Sequence, residues 1–303
     1  EALDFRAASE SFADVRLPGR QAGKLARRDL RTLRMLTEHQ GRTVPTVGGL
    51  LLFGRDRTEH FPDAWIQAGR FGGRDRSRIV DRSEIRSHPV RAIEEAVAFV
   101  AKHALHGAEI GAVRRRESWN LPPVAVREAV INAVAHADYA QRGAPLRVAI
   151  FDDRLEVESP GLLPFGLTIA DLEHGVSKLR NRVIGRVFHT LRLVEQWGSG
   201  VQRMTRACRE MGLAPPRFEE LATRFRVTLS TERVGPPSLD ERDRSILDAL
   251  AGGEGLLTSE IAKIIGLTPR ATRTRLARLV EQGHLRELGT GPQDPKRRYV
   301  RTR

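Results

Sequence analysis

Residues 258–283, TSEIAKIIGLTPRATRTRLARLVEQG, spell two short amphipathic helices around a glycine turn. Thr258, with Glu260 and Ile261 after it, reads as the N-cap of a short amphipathic helix, and Gly266 stands where a left-handed residue ends it. Thr268 then caps a second helix that has Pro269 at its first position. Helix, tight turn, helix is the helix-turn-helix arrangement. On the second helix Thr272, Leu276, Leu279 and Val280 share one face, which leaves Arg270, Arg273, Thr274 and Arg278 outside. Upstream, ERDRSILDALAG (241–252) has apolar residues at 246, 247, 250 and 251, as a preceding helix requires. Downstream, HLREL (284–288) and RRYV (297–300) flank a Gly/Pro-rich tip, GTGPQDPK (289–296), and read as the strands of a wing. The expectation is a winged helix-turn-helix over residues 240–303 that binds double-stranded DNA. The second helix would enter the major groove, where Arg reads guanine edges and Thr or Arg holds phosphate. Thr268, Arg270, Arg273, Thr274 and Arg278 are its candidate contacts, with Arg297 and Arg298 on the wing. A winged helix also serves protein contacts, and the pattern names no target.

Charge agrees with a polyanionic partner. The formal net charge is +13, from 51 Lys and Arg against 38 Asp and Glu. Only five of the 51 are lysine, a skew that a GC-rich genome also produces. Position is more telling than total: from Lys263 to Arg303 there are 11 basic residues and three acidic ones. Such a local surplus is the electrostatic footprint of nucleic-acid binding.

The 303 residues suffice for two or three domains. A single cysteine, Cys208, excludes a disulfide within the chain and makes a reduced, cytoplasmic setting the expectation. No run approaches the ~18–20 apolar residues of a membrane helix, and EALDFRAASE (1–10) lacks the pattern of a secretory signal. The lone cysteine and the spacing of the nine histidines give no Cys/His metal site. GRQAGKL (19–25) is the nearest approach to a GxxxxGK[ST] phosphate loop, with the wrong spacing and no Ser or Thr after the lysine, so a RecG-type motor is not expected.

Three zones divide the chain. In residues 1–116, ARRDLRTLRMLTEHQG (26–41) has the spacing of a helix ending at Gly41. GGLLLFG (48–54) reads as a short buried strand, AWIQAGRF (64–71) as a second strand, and VRAIEEAVAFVAKHAL (90–105) as a helix. The second zone, 117–234, opens on LPPVAVREAVINAVAHADY (121–139), a helix with a Pro-marked start. Glu128, Asn132 and His136, each four residues apart, line one face of it. PLRVAIF (145–151) and RLEVES (154–159) form a hairpin signal across Asp152-Asp153. A loop, SPGLLPFG (159–166), and a long polar segment follow. WGSGVQRM (197–204) then sets a Gly-Ser-Gly turn directly before a helix with Val201, Met204, Cys208 and Met211 on one side. Free N–H groups at such a helix start suit a phosphate, though glycines there also make ordinary tight turns. RFRVTLS (224–230) closes the zone as a strand, and VGPPSLDER (234–242) is the clearest linker.

In order, REAVINAVAHADY, DDRLEVESPGLLP, SKLRNRVI and VEQWGSGVQRM resemble the GHKL ATPase superfamily, whose members include gyrase B and histidine kinases. More closely they resemble the divergent GHKL-type domain of bacterial transcriptional regulators with a C-terminal helix-turn-helix, often labelled RecG-like. The resemblance spans about residues 47–303. It implies an α+β fold: a GHKL-like α/β sandwich (117–234), preceded by an N-terminal α/β extension packing on it (1–116) and followed by the winged helix-turn-helix (240–303). It also implies binding of ATP and Mg2+. Asn132 matches the residue whose amide oxygen holds Mg2+, and Glu128 the carboxylate that activates water in hydrolytic members. Gly198, Ser199 and Gly200 match the phosphate-facing turn. Arg180 and Asn181 fall in the lid, and His136, Ser159 and Gly161 fall around the nucleotide. The adenine-reading Asp-x-Gly of the superfamily is here Ser159-Pro160-Gly161, with Asp153 and Glu158 as nearby carboxylates. Many relatives carry a Schlafen/Alba-type DNA-binding domain in front, which implies a fragment or a short member, and relatives imply a homodimer. The expected function is a DNA-binding transcriptional regulator modulated by ATP. The alternatives are a DNA-stimulated ATPase of DNA metabolism or defence, with weak turnover on Glu128, and a DNA-binding module whose nucleotide site has degenerated.

Overall fold

The computed structural model describes residues 2–15, 25–104, 108–109, 116–117, 120–194, 198–234, 239–252, 255–288 and 297–302. They fall into two compact units, Glu1–Arg233 and Val234–Arg303. The architecture is α+β as expected, with a mixed sheet and helices in the first unit and a winged helix-turn-helix in the second.

The first unit opens with α1 (Phe5–Ser11) and α2 (Arg27–Thr32), followed by a hairpin of β1 (Leu36–His39) and β2 (Arg42–Pro45). Here the expected helix through residue 41 is corrected. It stops at Thr32, and Gln40 (φ 48°) with Gly41 (φ 70°) makes a two-residue turn with positive φ at both positions. That is what a tight hairpin requires, so Gly41 is a turn residue rather than a helix cap. Leu30 and Leu33 are nonetheless buried, and Leu36 is half-buried.

The expected strand at 48–54 is likewise corrected to a helix, α3 (Val47–Phe53). A short apolar run between glycines has no periodicity that separates a buried strand from a buried helix. The deciding signal is Thr46, whose hydroxyl accepts the Gly49 N–H at 3.0 Å and caps the helix start. Gly49 also lets the helix lie against the preceding chain, since a Cβ there would be 2.3 Å from the Met35 carbonyl oxygen. Leu51, Leu52 and Phe53 are buried.

After α4 (Arg57–His60) come β3 (Ile66–Phe71), β4 (Ile79–Ile85) and α5 (Pro89–Ala104), then two short strands, β5 (Ala108–Glu109) and β6 (Arg116–Glu117). Next are α6 (Pro123–His136), the hairpin β7 (Leu146–Ile150) and β8 (Arg154–Pro160), α7 (Ile169–Glu173), α8 (Arg182–Thr190), α9 (Gly200–Glu210), β9 (Arg217–Leu221) and β10 (Arg224–Ser230). Six strands make one sheet in the order β4-β3-β7-β8-β10-β9. The β3–β7 pair is parallel and all others are antiparallel. Strands from both sides of residue 116 thus share one sheet.

Side chains alternate across that sheet. Leu146, Val148, Ile150, Leu155, Val157, Val227 and Leu229 enter the core beneath α5 and α6. α6 is apolar nearly all round, with Val126, Val130, Ile131 and Val134 no more than 2% exposed, as suits a helix packed on several sides. The opposite face of β8 is also closed, but by charge. Glu156 and Glu158 are 5% and 3% exposed beneath arginines. Arg76 reaches both, at 3.1 and 2.8 Å, Arg226 meets Glu158 at 2.7 Å, and Arg154 meets Glu156 at 2.8 Å. On α9, Met204 and Cys208 are fully buried and Val201 half-buried, whereas Met211 lies exposed past the helix end. Burial pushes the Cys208 thiol up to about 11.

The second unit is built as its sequence indicates. α10 (Glu241–Ala249) starts at Asp240, whose carboxylate accepts the Asp243 N–H while the Asp243 carboxylate accepts the Asp240 N–H. β11 (Leu256–Leu257) leads into α11 (Thr258–Ile265), closed by left-handed Gly266. Thr258 is the first helical residue rather than the cap, and Glu260 accepts the Leu257 N–H at 2.7 Å. α12 (Pro269–Glu281) begins at Thr268, whose hydroxyl accepts the Ala271 N–H. β12 (Leu285–Leu288) and β13 (Arg298–Arg301) form the wing, with β11 added to the edge of β13. The wing tip, 289–296, lies outside the described residues. Thr272, Leu276 and Leu279 are fully buried and Val280 half-buried, as the helical spacing requires. No described helix is long and apolar enough to cross a membrane.

Candidate nucleotide cleft and nucleic-acid interface

In the first unit the residues that converge are those on α6 and at the start of α9, two helices packed against each other. Glu128 and Asn132 lie one turn apart on α6 and meet Gly200. A Cβ on Gly200 would lie 2.7 Å from Glu128 Oε2 and 3.3 Å from Asn132 Nδ2. Only glycine lets both side chains reach the backbone of that turn. Gly198 adopts φ 65°, and a Cβ there would press on the Gly175 carbonyl at 2.7 Å. Glu128 is 6% exposed and receives Arg203 from the first turn of α9 at 2.8 Å.

These residues line a cleft of about 640 Å³ that runs from the Gly198–Gly200 turn to the end of β8. Glu128, Asn132, His136, Ser159, Gly161, Gly198, Ser199 and Gly200 all line it. Arg180 and Asn181, expected in the lid, are not among its lining residues. Arg180 pairs with Asp138 at 3.6 Å and donates to the Leu162 carbonyl. Asn181 donates to the Ala135 and Ala137 carbonyls at 3.0 and 2.8 Å, which satisfies open acceptors at the end of α6. Their neighbours take that place. Lys178, Arg182 and Arg186 line the cleft with Arg203, against Glu128 as the carboxylate among the lining residues. Sequence reasoning missed all four cations. Arg182 directly follows the singled-out Arg180-Asn181 pair and Lys178 stands two residues before it, whereas Arg203 had no local signal.

The far end is mainly apolar, with Val157, Phe218, Phe225 and Val227. Ser159 opens onto it from β8, 5% exposed. Neither nearby carboxylate replaces the missing acid. Glu158 points to the other sheet face among arginines, and Asp153 sits at the hairpin tip paired with Arg154. Burial and the charge of Arg180 hold His136 below the usual imidazole value, so it is neutral at pH 7. The volume, the apolar part of the lining, and the glycine turn with Arg203 beside it fit a polyphosphate with an aromatic body. Among the described residues no group of three or more His, Cys, Asp or Glu could hold a metal ion. A Mg2+ ion here would therefore share its ligands between the Asn132 amide and phosphate oxygens, as that ion commonly does.

In the second unit α12 presents two kinds of arginine. Arg270 and Arg273 are exposed, as are Thr268 and Thr274. Arg275 instead donates to Asp240 and Asp243 at 2.6 Å, and Arg278 also reaches Asp243. On the wing, Arg297 pairs with Glu287 at 3.1 Å and Arg298 donates to the Gly255 carbonyl at 2.6 Å. Arg278, Arg297 and Arg298 thus have intramolecular partners, while Arg270 and Arg273 extend from the first turns of the helix.

Two family models match parts of the chain. Residues 143–229 match the family described as "Putative ATP-dependent DNA helicase recG C-terminal". Residues 239–285 match the one described as "Winged helix-turn-helix DNA-binding". The chain therefore carries an ATPase-like domain followed by a winged helix-turn-helix. No curated protein matches it. Among solved structures it is similar to the DIP2311 protein from Corynebacterium diphtheriae, at 17% identity over 99% of this chain and 68% of that one, with a TM-score of 0.59. At that identity the likeness is one of fold.

Proposed function

We propose that this chain is a bacterial, cytoplasmic transcriptional regulator of the GHKL type, in which ATP with Mg2+ alters how the winged helix engages double-stranded DNA. The observation that carries the reading is the cationic cleft, where Glu128 and Asn132 of α6 meet the glycine turn before α9. Asn132 would hold the ion, Ser199 and Gly200 the phosphates, and Ser159, Gly161 and His136 would border the base. Bound ATP supplies a compact polyanion that this cleft binds better in one state of the protein than in another. A differential affinity of that kind is all a ligand needs to bias DNA binding, without turnover. A homodimer would let two winged helices read paired half-sites.

The test is fluorescence anisotropy of a labelled duplex with the full chain, with and without ATP·Mg2+, beside calorimetry of the nucleotide. We expect micromolar nucleotide binding and a shift of about 5-fold or more in DNA affinity, in the range of ordinary allosteric coupling. Nucleotide bound with no shift overturns the coupling. No heat at millimolar nucleotide favours the alternative that Ser159 supports, a DNA-binding module whose cleft no longer takes ATP.

A further inference from the structure

We propose that Arg203 is the residue that recognises the terminal phosphate in this cleft, and that Glu128 is its place-holding counter-ion until the phosphate arrives. The inference rests on the nucleotide reading above and adds a residue to it.

Three observations converge. Arg203 stands three residues after Gly200 on α9, so both lie on one face of that helix. Its Nη2 contacts Glu128 Oε1 at 2.8 Å, and both residues line the cleft. The second Glu128 oxygen lies 2.7 Å from where a Gly200 Cβ would be, so the carboxylate sits against the glycine turn itself. A phosphoryl group placed on that turn would occupy the neighbourhood of the carboxylate. The planar guanidinium fork donates to carboxylate and phosphate oxygens alike, so one anion can replace the other on Arg203. An arriving polyphosphate would draw Arg203 to itself and displace Glu128.

Before a ligand arrives, this carboxylate has one oxygen on the Arg203 guanidinium and the other close to the glycine turn. The cleft is therefore built to discriminate the number of phosphates on its ligand, with Arg203 as the discriminating group.

Calorimetry of ATP, ADP and AMP with Mg2+ tests this on the full chain, comparing the wild type with Arg203→Ala, Arg203→Lys, Glu128→Gln and the double variant Arg203→Ala/Glu128→Gln. The wild type should prefer ATP to AMP. Arg203→Ala should lose about tenfold or more in ATP affinity, falling on ATP far more than on AMP, and Arg203→Lys should recover part of it. Glu128→Gln should bind ATP more tightly than the wild type, because a competing anion is gone. The double variant leaves no lone buried carboxylate, so it reports even where Arg203→Ala does not fold. An unchanged ATP-to-AMP ratio in a folded Arg203 variant, with the wild type binding ATP, overturns this proposal and leaves the nucleotide reading standing. A wild type that binds none of the three overturns both.

Discussion

Gly200 and Glu128 are in such close register that one methyl group cannot be added between them: a Cβ on Gly200 would stand 2.7 Å from Glu128 Oε2. Gly200→Ala should destabilise the first unit despite alanine's better helix propensity, because the buried carboxylate has to move. The expected net loss is about 1–2 kcal/mol, overpacking exceeding the helix gain. Trp65, Trp119 and Trp197 all belong to this unit, so tryptophan fluorescence in a urea titration reads it selectively. An equal or raised midpoint would show that Glu128 yields freely.

The arginine layer over β8 makes the same unit acid-sensitive. Burial raises the Glu158 carboxyl, but hydrogen bonds from Arg226 and Arg76 outweigh it and leave the group below its ordinary value of 4.5. Its stabilisation is complete at neutral pH and is lost as pH falls from about 4.5 through the folded value. Glu158→Gln should cost about 2–3 kcal/mol at pH 7, the low end for a buried pair because Arg76 is 41% exposed. Urea midpoints for variant and wild type should converge as pH is lowered towards 3. A constant gap across that range would contradict the assignment.

The arginines of α12 should separate by effect. Arg270→Ala and Arg273→Ala should each weaken duplex binding and lower the salt slope by about one, with the unit intact. Arg275→Ala removes the arginine on Asp240 and one of the two on Asp243, the latter 2% exposed. It should destabilise the winged helix by about 1–3 kcal/mol, seen as faster hydrogen exchange in α10 and α12. The Arg275 hydrogen bond, with the Asp243 N–H, holds the Asp240 carboxyl down at about 2, so this contact persists well into acid. Identical salt slopes for all three variants would place the DNA contact elsewhere.

Asn181 should behave as a helix cap. Asn181→Ala leaves the Ala135 and Ala137 carbonyls without that donor and should cost about 1 kcal/mol, with ATP affinity changed less than 2-fold. A large, selective loss of ATP affinity would return Asn181 to the phosphates.

What the sequence made legible was periodic. Glu128, Asn132 and His136 could be placed on one face because a helix repeats every 3.6 residues, and Thr268-Pro269 could be placed at a helix start because capping is local. The errors at 26–41 and 48–54 share a cause. Gly41 is equally suited to a helix end and a hairpin turn, and Leu50 to Phe53 are apolar enough to be buried in either conformation. β4 escaped notice because Ile79 and Val80 are exposed on an edge strand whose middle, Asp81 to Glu84, is polar, so only Ile85 is buried and no alternation marks it. Arg203 could not be read at all, because its partner lies 75 positions earlier on another helix, and only packing joins them. The turn of Lys178 and Arg182 into the cleft, and of Arg180 and Asn181 away from it, is likewise set by the shape of the segment between β8 and α8.

Cys208 gives the chain a practical property. Its thiol is fully buried and titrates near 11, so at neutral pH it is neither accessible nor ionised. A maleimide reagent should therefore ignore the native protein, and a second cysteine can be introduced without removing the first. Phe165 is 97% exposed in the segment that borders the cleft, so Phe165→Cys is a ready attachment point for a dye or spin label. One such label would follow that segment in real time as ligand is added.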